Sequence, residues 1–296
     1  MRSSGNSGSS KRSANRSQTS HPQRDGGHRA NRLFIVGIGP GHPDHLTQRA
    51  RDVLTSVEVV VGYRTYIELI RPLIDGKTII STGMTQEVKR VEAAIEQAQN
   101  ATACAIVSSG DPGIYAMAGL VLETCKLSNI AIASPAAGSS SSKDASTLVL
   151  EVVPGIPALC AGASLLGAPL THDFAAISLS DLLTPWQLIE QRIEAAAQAD
   201  FVVVLYNPKS KKRTWQLENA QKILLKYRDR QTPVGVVASA MRANQRVRIV
   251  ALADLHREEV DMQTTVFVGS SASSRYLDFM ITPRGYAQKY GKRLNI

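Results

Sequence analysis

The sequence predicts an α/β protein made of two α/β domains that meet near Pro154-Gly155. From residue 33 onward, short β-branched or apolar runs alternate with stretches whose apolar residues recur at the helical period, the pattern of strands covered by helices. Glycine- and proline-rich segments follow several of the runs, at the positions where open α/β sheets carry ligand loops. Beyond residue 154 the strands become more frequent per helix, which predicts a mixed sheet in the second domain.

Residues 1–32 are rich in Ser, Arg and Gly and hold almost no apolar side chain beyond Met1, Ala14 and Ala30, so a disordered tail is expected. A targeting peptide is the alternative, being basic and acid-poor, but it needs an amphipathic apolar face that this stretch lacks. The N-terminal domain is expected over 33–153, with strands at 33–38, 57–61, 103–107 and 148–153 and helices at 46–56, 87–99 and 114–125. Within it, a Ser-rich stretch at about 134–147 reads as a flexible surface insertion. The C-terminal domain, 154–296, is expected to hold helices at 158–166, 186–198 and 214–227 and strands at 175–179, 201–206, 234–238, 247–251 and 265–268.

The formal net charge is +9, but residues 1–32 carry seven Lys/Arg against the single Asp25 and so supply +6 of it. The remaining +3 is too mild for a nucleic-acid footprint, and no RNA-binding pattern accompanies it. No uncharged apolar run is long enough to span a bilayer, and no secretory signal is evident. Cys104, Cys125 and Cys160 lack the spacing of a zinc site or a redox pair, so no metal site is expected and a reducing, cytoplasmic setting is.

Gly37-Ile38-Gly39-Pro40-Gly41 occupies the place of a dinucleotide loop but lacks its form. His42 stands where the third glycine would fall, and Pro40 removes an N–H from a loop that would have to offer N–H groups to phosphate. A tight turn remains, either structural or facing a ligand that carries no phosphate. Ser109-Gly110-Asp111-Pro112-Gly113-Ile114-Tyr115 follows another strand; Asp111 suits ribose hydroxyls or amines, or else caps a helix. Pro154-Gly155-Ile156-Pro157-Ala158 reads as a third such segment or as a stiff connection between domains.

Together with Leu46-Thr47, these segments stand in the order and spacing of the tetrapyrrole methylase family, and the chain resembles that family over about 33–290. The stretches Leu179-Ser180-Asp181-Leu182-Leu183-Thr184-Pro185-Trp186, Leu205-Tyr206-Asn207-Pro208-Lys209-Ser210 and Gly62-Tyr63-Arg64-Thr65-Tyr66 resemble its C17-methylating, ring-contracting branch. The resemblance implies S-adenosyl-L-methionine as methyl donor, bound in a cleft between the domains by Pro40, Gly110, Asp111, Ile114, Tyr115, Pro157, Ala158, Asn207 and Ala240. It implies methylation at C17 of precorrin-3B with contraction to precorrin-4; a cobalt-containing substrate or another ring carbon is the alternative. A homodimer is likewise implied.

Alkylating an electron-rich ring carbon needs alignment more than proton transfer. Related enzymes carry an acid where this chain has Tyr63 and a lysine where it has Met84, so Tyr63 is the candidate to move a proton at the ring, with packing on the macrocycle as its other role. A polyanionic substrate calls for cations, and Arg64, Lys209, Lys211, Lys212, Arg213, Arg242, Arg246 and Arg275 are candidates.

Overall fold

The computed structural model describes residues 31–100, 103–135, 147–210 and 213–294. Most of the basic N-terminal stretch, the Ser-rich residues 136–146, Lys211 and Lys212 lie outside the described residues.

The first sheet has six strands: β1 (Arg32–Gly37), β2 (Val59–Tyr63), β3 (Thr78–Thr82), β4 (Ala103–Ser108), β5 (Ile132–Ala133) and β6 (Leu148–Val153). Their order is β3-β2-β4-β1-β6-β5 and every pairing is parallel. Arg32, assigned to the tail from composition, is the first residue of β1. Because all strands run one way, the segments after β1, β4 and β6 emerge on one edge. Helices α1 (Gln48–Ser56) and α2 (Arg64–Leu69) cover one face of the sheet, while α3 (Glu87–Gln99) and α4 (Met117–Leu127) cover the other. Burial of both faces is why these strands read as continuous apolar runs. Thr47 caps α1, its hydroxyl accepting from the Ala50 N–H at 3.1 Å, and Ala50, Val53 and Leu54 on the inward side are buried.

After α5 (Ala158–Leu166) and the short β7 (Gly167–Ala168) comes the second sheet. It comprises β8 (Phe174–Ser178), β9 (Val202–Tyr206), β10 (Pro233–Ala238), β11 (Arg246–Ala251) and β12 (Thr264–Val268), in the order β11-β10-β12-β9-β8. Only β8 and β9 pair in parallel, so the sheet is mixed. Between these strands, α6 (Trp186–Gln198) and α7 (Gln216–Leu224) pack on one face, while α5 packs on the other through Leu166, Val204, Val237 and Phe267. The hairpin β13 (Ser274–Tyr276) and β14 (Phe279–Ile281) adds to β7, and α8 (Tyr286–Leu294) follows.

The helix expected from residue 114 begins only at Met117. Tyr115 adopts a left-handed φ of 51° and Ala116 is extended, which breaks the helical path before it can start.

Candidate functional site

At the loop-bearing edge of the first sheet, Gly39 and Gly110 exchange backbone hydrogen bonds. The Gly110 N–H donates to Gly39 O at 2.8 Å and the Gly39 N–H to Gly110 O at 3.2 Å. Both glycines sit at left-handed φ, 66° and 68°, where a side chain would be strained. Behind them Gly155 packs so tightly that a Cβ would lie 2.2 Å from Gly110 O and 2.8 Å from Gly37 C. Gly155 therefore permits three backbones to cross, a role the Pro-Gly spelling alone does not reveal. The space on the other side of Gly110 is wider, with a built Cβ 3.6 Å from Pro157 Cα and 3.8 Å from Ala158 N.

Asp111 is not the cap of α4, whose cap residue is Ala116. One of its carboxylate oxygens accepts from the Gly113 N–H at 2.8 Å and the other from the Gly155 N–H at 3.2 Å, so it straps the second loop to the third. Thr47 adds a further tie, its hydroxyl donating to Pro154 O at 3.2 Å. Pro157 is the residue before α5, and the Tyr206 hydroxyl at the end of β9 accepts from the Leu159 N–H of that helix at 2.9 Å. Burial pushes the Tyr206 phenol up to about 12. Asn207 follows with a left-handed φ of 51°, its amide donating to Ser178 Oγ at 3.0 Å. Ala240 packs with Tyr206 and Leu159 against one apolar cluster.

Side-chain hydrogen bonds join the sheets directly. Tyr115, beside Ile114 in the second loop, donates its hydroxyl to Ala176 O of β8 at 2.8 Å. From the turn after β10, Arg242 donates through Nε to Pro40 O at 2.6 Å and through Nη2 to Ser109 Oγ at 3.3 Å. The predicted donor residues thus come together at one place, on loops from both sheets.

The candidate cations divide. Arg64 is exposed and Lys209 is half-buried. Arg213 is spent on the carbonyls of Asn207 and Leu179, at 2.9 and 3.2 Å, and so braces the second sheet's loops. Arg246 pairs with Glu259 at 3.1 Å. Arg275 lies on the hairpin, where it donates to Leu277 O and Ile249 O along the outer edge of β11, away from the motif loops. A cavity of about 600 Å³ opens there, lined among others by Arg248, Glu258 and Arg275. No residue of the three loops lines it, so convergence of the loops, not cavity size, marks the site.

Tyr63 ends β2 at the same edge as the motif loops. Its ring meets Tyr66 edge to face at 5.2 Å, and the Arg90 guanidinium stands 5.8 Å from its centroid. Arg90 is 4% exposed and donates to Thr82 Oγ1 and Gly83 O, at 2.7 and 2.9 Å. Burial lowers the Arg90 and Arg242 pKa values and raises that of Tyr66. Met84 is exposed. Sequence reasoning missed Tyr66, Arg90 and Tyr206, although Tyr66 and Tyr206 lie inside the stretches that carried the resemblance. Among the described residues no group of three or more His, Cys, Asp or Glu is arranged to hold a metal, and no helix is long and apolar enough to cross a membrane.

A parallel sheet and a mixed sheet are thus joined over a glycine loop that lacks the phosphate-binding form. The chain belongs to the tetrapyrrole methylase family: the model described as "Tetrapyrrole (Corrin/Porphyrin) Methylases" matches residues 32–256. Members of this family take their methyl group from S-adenosyl-L-methionine. The chain is 51% identical to the cobalt-factor III methyltransferase of Priestia megaterium over 259 residues, 88% of this chain and 46% of that protein. It is 46% identical over 254 residues, 86% of this chain and 99% of the relative, to a Salmonella typhimurium protein named "Probable cobalt-factor III C(17)-methyltransferase". The chain therefore spans about half of the first relative and nearly all of the second. The crystal structure of the methyltransferase CobJ is similar with a TM-score of 0.76 and 33% identity, covering 86% of this chain and 100% of that one. A uroporphyrin-III C-methyl transferase from Thermus thermophilus, complexed with S-adenyl homocysteine, shares the fold at a TM-score of 0.58 and 22% identity, over 80% of this chain and 97% of that one.

Proposed function

We propose that this chain transfers the methyl group of S-adenosyl-L-methionine to C17 of cobalt-factor III in cobalamin biosynthesis, with contraction of the macrocycle. The relatives at 51% and 46% identity are named for the cobalt-containing ring, which favours it over metal-free precorrin-3B, the main expectation from the sequence. Methyl transfer rests chiefly on one observation, the meeting of Pro40, Gly110-Asp111, Ile114-Tyr115, Pro157-Ala158, Asn207 and Ala240 where Arg242 bridges the sheets. In this reading two domains divide at Pro154, and the donor lies between them. A homodimer in the cytoplasm is part of the same proposal, on family likeness.

The residues present suit such a donor. Pro40 withholds an N–H that a phosphate would want, and the gap beside Gly110 is open only because no Cβ fills it. When bound, the donor supplies an electrophilic methyl group on a sulfonium. The chain's task is then to hold that group in line with the ring carbon and exclude water. Arg242 fixes the distance between the lobes, and the Asp111 strap fixes the loops. Tyr63, held between Tyr66 and Arg90, is the proposed proton carrier for contraction. Arg64 and Lys209 are proposed to meet substrate carboxylates; Arg213, Arg242 and Arg275 would do so only by giving up backbone or hydroxyl partners.

Mass spectrometry after incubation with isotope-labelled donor tests this reading, using cobalt-factor III and precorrin-3B in parallel. The expected result is one labelled methyl at C17 of the cobalt-containing ring. Preferential turnover of precorrin-3B would overturn the substrate, and unlabelled products from both would overturn the reaction.

A further inference from the structure

We propose that Tyr115 and Tyr206 form an aromatic cradle for the sulfonium of the donor, through which the protein tells the charged donor from its neutral demethylated product. This rests on the reading of the cleft as a donor site and adds the means of discrimination. The two rings lie 5.1 Å apart at 53°, one from the second loop of the first sheet and one from the end of β9. Together they touch most of the converging segments. Tyr115 follows Ile114 and reaches Ala176, while Tyr206 holds Leu159, next to Pro157-Ala158, and shares an apolar cluster with Ala240.

Both hydroxyls are committed to backbone, that of Tyr115 to Ala176 O at 2.8 Å and that of Tyr206 to the Leu159 N–H at 2.9 Å. What the pair has left to offer a ligand is its ring faces, and the face of an aromatic ring carries the negative part of its quadrupole. Tyr115 remains 54% exposed although its hydroxyl is anchored, so ring surface is open to a ligand. Its left-handed φ of 51° is a costly conformation for an aromatic residue, of the kind that persists where a site requires it.

The alternative counter-charge is weak here. Asp111 is the acid of the three loops, and both its oxygens already accept from backbone N–H groups, those of Gly113 and Gly155. A sulfonium entering this cleft therefore finds the open Tyr115 ring, with Tyr206 packed beside it, and a carboxylate already shared with two donors. Cation–π attraction is worth about 0.5–2 kcal/mol according to desolvation, a factor of roughly 2 to 30 in affinity.

Calorimetric titration of the full chain with S-adenosyl-L-methionine and with S-adenosyl-L-homocysteine reads the effect as a ratio of affinities. Tyr115→Leu and Tyr206→Leu are expected to lower donor affinity about tenfold more than product affinity. Tyr206→Phe keeps the ring and loses only the acceptor for Leu159, so it should preserve the ratio whatever it does to both affinities. Melting curves establish that each variant is folded, and Tyr115→Leu decides alone if Tyr206→Leu is not. A parent that binds both ligands, with Leu variants that weaken both equally, overturns the cradle and leaves the donor site standing. A parent that binds neither ligand overturns the donor site and the cradle with it.

Discussion

The two sheets contribute to the site by opposite means. The first sheet offers backbone: Gly155 lets three chain segments meet where a Cβ would clash, and Gly39 and Gly110 pair there at left-handed φ. The second offers side chains: Tyr206 holds the start of α5, Asn207 holds Ser178, Arg213 braces the loops, and Arg242 reaches across to Pro40. A site half built from glycines depends on atoms that are missing, and a site half built from arginines and tyrosines depends on atoms that are present. The halves should therefore fail differently when altered, the first by intrusion and the second by loss.

The largest effect is expected on the backbone side. Gly155→Ala would set a Cβ 2.2 Å from Gly110 O, a clash with backbone that rotamer change cannot relieve. Denaturant midpoints should show a loss of about 3 kcal/mol or more, at the upper end for overpacking. A loss below about 1 kcal/mol would mean the loops separate easily.

Next comes the bridge. Arg242→Met removes two charge-assisted hydrogen bonds between the sheets while keeping most of the stem. Stability should fall by about 2 kcal/mol. Donor affinity measured by titration should fall at least tenfold, since the lobes are no longer held at their distance. Unchanged affinity would assign Arg242 to stability alone.

Asp111→Ala tests the joint between the halves of the first edge. As a strap to Gly113 and Gly155, it should lower melting temperature and donor affinity together, by about 1–2 kcal/mol in stability. A fall in affinity without a fall in melting temperature would show instead a carboxylate that acts on the donor directly.

A smaller effect concerns pH. Burial pushes the Tyr206 phenol up from its ordinary 10.0 to about 12, so its neutral form is favoured by folding. Its contribution is full below pH 10 and is lost as pH rises through the folded value. Tyr206→Phe should therefore show a shallower loss of stability above pH 10 than the parent; parallel curves would indicate that the phenol is not held neutral.

What was legible in the sequence follows the same division. The helices at 87–99, 158–166 and 186–198 and the strand at 148–153 have the bounds read from periodicity, because each buries one clear face or run. Glycine loops are local and leave a signature, so the first sheet's contribution was readable down to Gly110. The Arg242 bond to Pro40 spans 202 residues, and no local pattern can carry it. The start of α4 was misplaced because left-handed Tyr115 is set by its tertiary reach to Ala176, against its own preference. Strand β3 was missed because Thr78, Ser81 and Thr82 interrupt its apolar character at the sheet edge. Arg213, Arg242 and Arg275 looked alike in sequence, and only the fold assigns the first two to bracing the cleft and the third to a distant hairpin.

The central claim is that donor occupies the gap beside Gly110, and paired glycine substitutions test it most directly. Gly110 and Gly76 share a left-handed φ, 68° and 74°, but a Cβ on Gly76 meets nothing within 4 Å while one on Gly110 points toward Pro157 and Ala158. Each residue replaced by Leu therefore incurs the same backbone strain, of about 1 kcal/mol, and only one adds atoms to the cleft. Equilibrium binding of S-adenosyl-L-methionine to the two variants should be near the parent's for Gly76→Leu and abolished for Gly110→Leu. Parent-like binding by a folded Gly110→Leu would contradict the account.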